Sequence, residues 1–298
     1  MKHIGYLNVL LLFTLTMGSN SYGKEKSQFS KNHYFGETPP GLTPQPFAPG
    51  IVNTEKWGDS VGFSPDVNTI YVKRWRHSRE VEQPESHIFK NVANQWHKTL
   101  MPDDMLKPFY SPDGQTQYHK SKYRERTADG WSEWKSLGQK FEEVRIMGLT
   151  TSAKGTLVFD ENARHKDGYG TLFYSRLIDG KREDPKPLPK EINTGRWNAH
   201  PFIAPDESYI LWDGEREDGY GEADLFISFR QKDGSWGDAV NLGSAINTEV
   251  REGGPTVSPD GKYLFFNRMV PRTDGSGKQQ SDVFWVSAQI IEDLKNTQ

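Results

Sequence analysis

Arg145, Arg196 and Arg251 recur at nearly one spacing in this 298-residue chain, each eight or nine residues ahead of the marker residue of a repeated turn phrase. The marker is the Pro of Ser/Ala-Pro-Asp, or Ala153 in one degraded copy. Aligning on it gathers other reactive side chains. Lys56 also stands nine before its marker, and Trp57, Asp104 and Trp197 stand eight before theirs. Glu252 stands seven before, and Ser60, Lys107, Gly148, His200 and Gly254 stand five before. Residues that only hold a frame should repeat one type. These vary among Arg, Lys, Trp, His, Asp and Glu, the pattern of a binding site carried on an invariant scaffold.

The chemistry these types favour is handling of an acidic sugar. A Trp face packs on the C–H face of a sugar ring, and a guanidinium forks onto a carboxylate. The pairs Lys56-Trp57 and Arg196-Trp197 set a cation beside an aromatic face at matching places, and Arg196 supplies the guanidinium. β-Elimination from a uronate needs a cation to acidify the C–H beside the carboxylate, for which Arg145, Arg196 and Arg251 are candidates. It needs a base, for which His200, His119 or Lys107 would serve, and an acid for the leaving oxygen, such as Tyr118. Loss of a sugar makes the reaction a lyase reaction; loss of water makes it a dehydratase reaction. Glycoside hydrolysis would need two carboxylates flanking the bond. Glu252, Asp59 and Asp104 are present, but none is marked out for that role.

These residues need a frame that brings distant stretches together, and the turn phrase supplies it. Ser64-Pro65-Asp66, Ser111-Pro112-Asp113-Gly114, Ser152-Ala153-Lys154-Gly155, Ala204-Pro205-Asp206 and Ser258-Pro259-Asp260-Gly261 repeat along the chain. The spacing is that of propeller or solenoid units. Pro sets the first central φ of a turn, Asp tolerates the second and Gly accepts a left-handed exit. Extended segments flank each copy, as in Gly254-Pro255-Thr256-Val257 before and Tyr263-Leu264-Phe265-Phe266 after. A third apolar run and a fourth strand follow in most units. Four short strands with turn signals between them describe a propeller blade. The expectation is an all-β fold, a five-bladed β-propeller of four-stranded antiparallel blades. The last unit lacks a fourth strand, but Pro46 to Thr54 ends like the other fourth strands, in Val-Asn-Thr beside Ile-Asn-Thr. The N-terminal segment is therefore expected to close the ring beside Val283 to Val286. A sixth blade would need strands in residues 24–45, which are too few and too polar.

Residues 1–23 read as a secretory signal peptide, with Lys2, an apolar run from Tyr6 to Met17 and small residues at Ser21 and Gly23. The domain expectation is signal 1–23, flexible leader 24–45, propeller 46–290 and tail 291–298, in a secreted or periplasmic protein with no membrane insertion after cleavage. There is no cysteine, so disulfides and thiol lipidation are excluded. With 37 basic and 40 acidic residues the formal charge is −3, which gives no footprint for nucleic acid. No cofactor is expected. The acidic loops Glu161 to Gly170 and Asp213 to Asp224 could supply oxygen ligands to Ca²⁺, but they lack the alternating spacing of a calcium loop.

The Ser-Pro-Asp-Gly–aromatic phrase, with Asp224-Leu225-Phe226 and Asp282-Val283-Phe284 on third strands, resembles the TolB-like, WD40-like β-propeller repeat family over roughly residues 45–290. The resemblance implies the propeller fold. It implies membership of a group that includes periplasmic scaffolds, peptidase-associated propellers and secreted carbohydrate-active enzymes, some of them polysaccharide lyases. The chain departs from the pattern at Lys154, where the turn Asp is missing, and at Lys122-Tyr123-Arg124-Glu125-Arg126, where the third strand should be apolar. Two functions remain in view: an enzyme acting on anionic, uronic-acid-containing oligosaccharides as a lyase or dehydratase, and a non-catalytic propeller that binds a glycan or a periplasmic protein.

Overall fold

A computed structural model describes residues 33–54, 58–75, 85–102, 105, 107–161, 170–273 and 275–297. The expected signal peptide lies outside the described residues. Within them no helix is long and apolar enough to cross a membrane.

Each repeat folds into an antiparallel sheet, and five sheets make a five-bladed β-propeller. Blade 1 comprises Gly58–Phe63, Thr69–Trp75, His87–Val92 and Gln95–Leu100. Blade 2 comprises Phe109–Tyr110, Thr116–His119 and Lys122–Thr127, with an outer edge split between Gly130–Trp131 and Lys135–Ser136. Blade 3 comprises Ile146–Thr151, Leu157–Glu161, Leu172–Ser175 and Lys186–Pro187. Blade 4 comprises Trp197–Ile203, Tyr209–Glu215, Asp224–Phe229 and Val240–Asn241. Blade 5 comprises Glu252–Val257, Tyr263–Pro271 and Gln279–Ser287. Its outer strand is Gln45–Pro46, paired with Trp285 and Phe284. The N-terminal closure is as expected, although the strand is short and the chain turns after Phe47.

The outer strands are shorter than the sequence suggests. Lys181–Arg182 pairs instead with Leu177–Ile178 in a side hairpin. A side-chain clamp supplements the missing rungs. Asn53, Asn193 and Asn247 close the repeated Val/Ile-Asn-Thr phrases. The amides of Asn193 and Asn247 each accept from and donate to one third-strand residue, Leu172 and Leu225 respectively. Asn53 does the same to Val283, at 2.7 and 2.9 Å. A buried amide satisfying both backbone groups replaces a ladder partner that would otherwise be costly to lose.

Each turn Asp caps its own turn. Ser111 donates to Asp113 at 2.5 Å and the Gln115 N–H at 3.0 Å. Asp260 does more: it also accepts the hydroxyl of Tyr34 at 2.9 Å. Tyr34 is buried among Phe47, Phe63, Phe265 and Trp285, so part of the stretch expected as a flexible leader is packed into the core. At the other end, Gln289–Lys295 forms a helix whose Ile291 is buried against blades 4 and 5. Asp113→Ala should therefore cost about 0.5–1.5 kcal/mol, a single turn bond. Asp260→Ala should cost about 1–3 kcal/mol more, because a buried hydroxyl loses its acceptor. Urea denaturation of the two variants compares them directly, and equal shifts would show that Tyr34 docks independently of Asp260.

Apolar clusters join the blades pairwise. One packs blade 5 and the N-terminal segment on blade 1, and others join blades 4 and 5, 3 and 4, and 2 and 3. Among the described residues no such cluster joins blades 1 and 2. That seam is held by Tyr71 and Tyr110 hydroxyls at 2.8 Å and by Lys73 and Lys107, which donate to the Met105 and Val61 carbonyls at 3.3 and 2.9 Å.

Candidate functional site

The first strands of the blades border a central channel of about 1400 Å³. The five residues aligned at five before the marker, Ser60, Lys107, Gly148, His200 and Gly254, all line it. Trp197 and Arg251 line it as well, nearer the end where the chain enters each blade; this end is termed the mouth.

His200 projects into the channel because its strand is broken by a bulge. The pairing of Trp197–Ile203 with Tyr209–Glu215 shifts register between Ala199 and Phe202, and His200 has φ 48. A left-handed histidine is uncommon and must be held by its surroundings. Asp160 of blade 3, 1% exposed, holds it by accepting its N–H at 2.9 Å. The same carboxylate accepts the Met147 and Gly148 N–H groups at 3.1 and 2.7 Å. The imidazole is fixed from the other side: Nδ1 lies 2.7 Å from Oδ1 of the fully buried Asp213. Asp213 also accepts the Gly254 N–H at 3.0 Å, and its other oxygen lies 3.8 Å from the Arg251 guanidinium. Polar contacts thus run from blade 3 through His200 and Asp213 to blade 5.

Burial opposes charge on His200, but the Asp213 carboxylate beside it prevails and holds the imidazole pKa above its ordinary value. Burial likewise opposes charge on Asp213, and His200, the Gly254 N–H and Arg251 together bring its carboxyl below the usual range. The pair's contribution to stability is then complete between about pH 3.9 and about pH 6.5, the unfolded-state values. It is lost as pH falls through the depressed Asp213 pKa and as pH rises through the raised His200 pKa. The stability difference between the wild type and His200→Ala, followed by thermal melts, should shrink on the alkaline side. A difference that does not change with pH would mean that the ion pair does not form.

Lys107 reaches the channel across Gly62, where a Cβ would lie 2.6 Å from its Cγ. Burial brings its pKa down to about 8, and its ammonium donates to the Val61 carbonyl at 2.9 Å. Trp197 presents an indole whose Nε1 has no hydrogen-bond partner. Glu215 and Glu222 line the same end.

Other expected residues lie elsewhere. Tyr118 is 6% exposed and packs in the apolar cluster that joins blades 2 and 3, outside the channel lining. It is a core residue, not an acid for the leaving group. His119, next on that strand, meets Trp134 edge-on at 5.8 Å and does not line the channel. Glu252 is fully buried, bound by Thr248 and by Arg268 at 2.8 Å, which makes it a structural anchor. Arg196 turns outward to Glu215 and Glu217, and Arg145 is exposed outside the lining. Lys56, Trp57 and Asp104 lie outside the described residues. Among the described residues no three His, Asp or Glu side chains converge as a metal-ligand set. In the acidic loop ending at Asp224, that residue's carboxylate takes the Tyr220 N–H and the Asn241 amide, both at 2.7 Å.

Lys73, Asp160 and Asp213 were missed by an alignment that looked only ahead of the marker. Lys73 and Asp213 stand eight after their markers and Asp160 seven after its degraded one, so the same alignment carried forward finds them.

Fold and site together define a five-bladed β-propeller with a His–Asp pair and cations at one end of its channel. No family model matches the chain, and no curated protein matches it by sequence. Solved structures similar to it include TolB from Acinetobacter baumannii, with 15% identity and a TM-score of 0.43 over 77% of this chain and 56% of that one. The α-L-arabinofuranosidase from Lactobacillus brevis shows 11% identity and a TM-score of 0.41 over 78% and 91% of the two chains. The gluconolactonase XC5397 from Xanthomonas campestris shows 12% identity and a TM-score of 0.44 over 82% and 86%. The blade count therefore rests on the sheets themselves, and any activity on the geometry of the mouth.

Proposed function

We propose that the channel mouth binds the acidic unit of an anionic oligosaccharide and eliminates across its C–O bond. The convergence of His200, Asp213 and Arg251 carries this reading. Asp213 accepts a hydrogen bond from the Nδ1–H of neutral His200, which leaves the Nε2 lone pair as the base. Arg251 neutralises the uronate carboxylate, which acidifies the adjacent C–H. Nε2 removes that proton, the electron pair forms the C=C bond, and the neighbouring C–O bond breaks. Lys107, with a pKa near 8, is suited to protonating the leaving oxygen. The Trp197 ring provides a sugar platform. Because the base form is needed, turnover should rise with pH through the raised His200 pKa.

The test is incubation of the purified protein with uronate-containing oligosaccharides while ultraviolet absorbance of an unsaturated product is followed. Absorbance that grows with time and is lost in His200→Ala supports elimination. Calorimetric binding without any absorbance change would make the protein a non-catalytic glycan binder.

A further inference from the structure

The rim of the mouth is uneven. The connections between second and third strands are residues 76–86 in blade 1, 162–171 in blade 3, 216–223 in blade 4 and 272–278 in blade 5. In blade 2 the connection is only Lys120 and Ser121. A two-residue turn cannot rise above its sheet, so the rim of blade 2 is lower than that of blade 4.

That low rim is basic. The register that pairs Phe109 with Tyr118, continued toward the mouth, sets Lys107 across from Lys120. Lys122 follows on the third strand, paired with His119, and Ser136 of the outer edge pairs with Lys122. A row of lysines therefore leads outward from the channel: Lys107, then Lys120, then Lys122. Lys120 and Lys122 are exposed, and both act with burial to depress the His119 pKa, which places them close together. Trp134, two residues before Ser136 and beside His119, is 38% exposed, with Arg124 over its ring at 4.6 Å. Lys120 also has φ 52, a backbone that glycine would adopt more easily. The rim of blade 4 has the opposite sign, with Glu215, Glu217, Asp218, Glu222 and Asp224 set against Arg216 and Arg196.

We propose that an acidic oligosaccharide extends from the channel mouth, past Lys107, over blade 2, with successive acidic groups on Lys120 and Lys122 and a terminal sugar at Trp134. This rests on the reading of the mouth as an acidic-sugar site, and it adds that the ligand is a chain, laid in one direction. Strands about 4.8 Å apart give the row the reach of a short oligomer rather than a single sugar. The acidic rim of blade 4 repels the chain from the other side.

Oligogalacturonates from disaccharide to hexasaccharide, titrated calorimetrically at low salt, test the proposal. Wild-type affinity should rise with length. In Lys120→Gly/Lys122→Gln, a pair of substitutions that suits the backbone, that length-dependent gain should shrink roughly three- to tenfold, the size expected for exposed ion pairs. Added salt should erase the same increment from the wild type. No gain with length in the wild type, or an equal loss on disaccharide and hexasaccharide, overturns the path over blade 2 while the mouth reading stands. A gain with length that Lys120→Gly/Lys122→Gln abolishes but Arg251→Ala leaves untouched supports the lysine row and overturns the mouth reading instead. Absence of binding at every length overturns both. Equal affinity for a polyphosphate of matched charge would reduce the row to a general polyanion surface and overturn the proposal.

Discussion

A chain that begins at residue 55 should fail to fold cooperatively. It lacks Tyr34, Phe47, Ala48 and Val52, all buried in the cluster that joins blade 5 to blade 1. Burial of a large apolar side chain contributes about 1.5–3 kcal/mol, so the loss approaches the whole 5–15 kcal/mol stability of an ordinary domain. Trp285 and Phe284 lose their strand partners, and Val283 loses both bonds to Asn53. The buried Arg74 also loses the Ile51 and Val52 carbonyls it donates to, at 3.1 and 3.0 Å. The expected result is loss of the near-ultraviolet circular dichroism of the aromatic cluster and of a sharp melt. A truncated protein that melts cooperatively at the full-length temperature would refute closure by this segment.

Asp213→Asn should lower turnover on acidic oligosaccharides by about 10²–10⁴-fold, the usual contribution of a positioned base. The asparagine amide is nearly the same size, but it can donate to Nδ1 and so favour the tautomer that carries its proton on Nε2, where the base should be. Substrate affinity should change far less, because Arg251 and Trp197 remain at the mouth. The pH at which turnover rises should also move, since the carboxylate no longer sustains the raised His200 pKa. Arg196→Ala makes the contrast. Its guanidinium is 66% exposed and pairs with Glu215 and Glu217 on the surface, an interaction worth about 0–1 kcal/mol. Near-wild-type turnover in Asp213→Asn, with an unshifted pH profile, would remove the His–Asp pair from the mechanism.

The repeat phrase carried the architecture because its residues do local work. Pro, Asp and Gly make the turn whatever surrounds them, and the Val/Ile-Asn-Thr endings mark where amide clamps fall. The channel ring was legible for the same reason, since equal offsets from equal turns arrive at equal heights. Burial was not legible. Glu252 looks like a ligand-binding acid until Thr248 and Arg268 enclose it, and Tyr118 looks like a proton donor until the adjoining blade covers it. Arg268 stands sixteen residues from Glu252 on another strand, and the residues that cover Tyr118 belong to the next blade. His200 was picked out by offset, but the bulge that turns it inward depends on Asp160, a carboxylate in another blade. The split outer edge of blade 2 was hidden because Arg124 and Arg126 stack on Trp131, at 5.3 and 4.9 Å, where an apolar strand was expected.

The ring has a clasp. The clasp lies between blades 5 and 1, where two distant parts of the chain meet without a covalent link, and it is packed with aromatic rings. Between blades 1 and 2, among the described residues, the Tyr71–Tyr110 hydroxyl contact and the bonds of Lys73 and Lys107 stand where the other seams have an apolar cluster. A neighbouring copy is offered no open edge at the clasp, because Gln45–Pro46 already occupies the last strand position of blade 5.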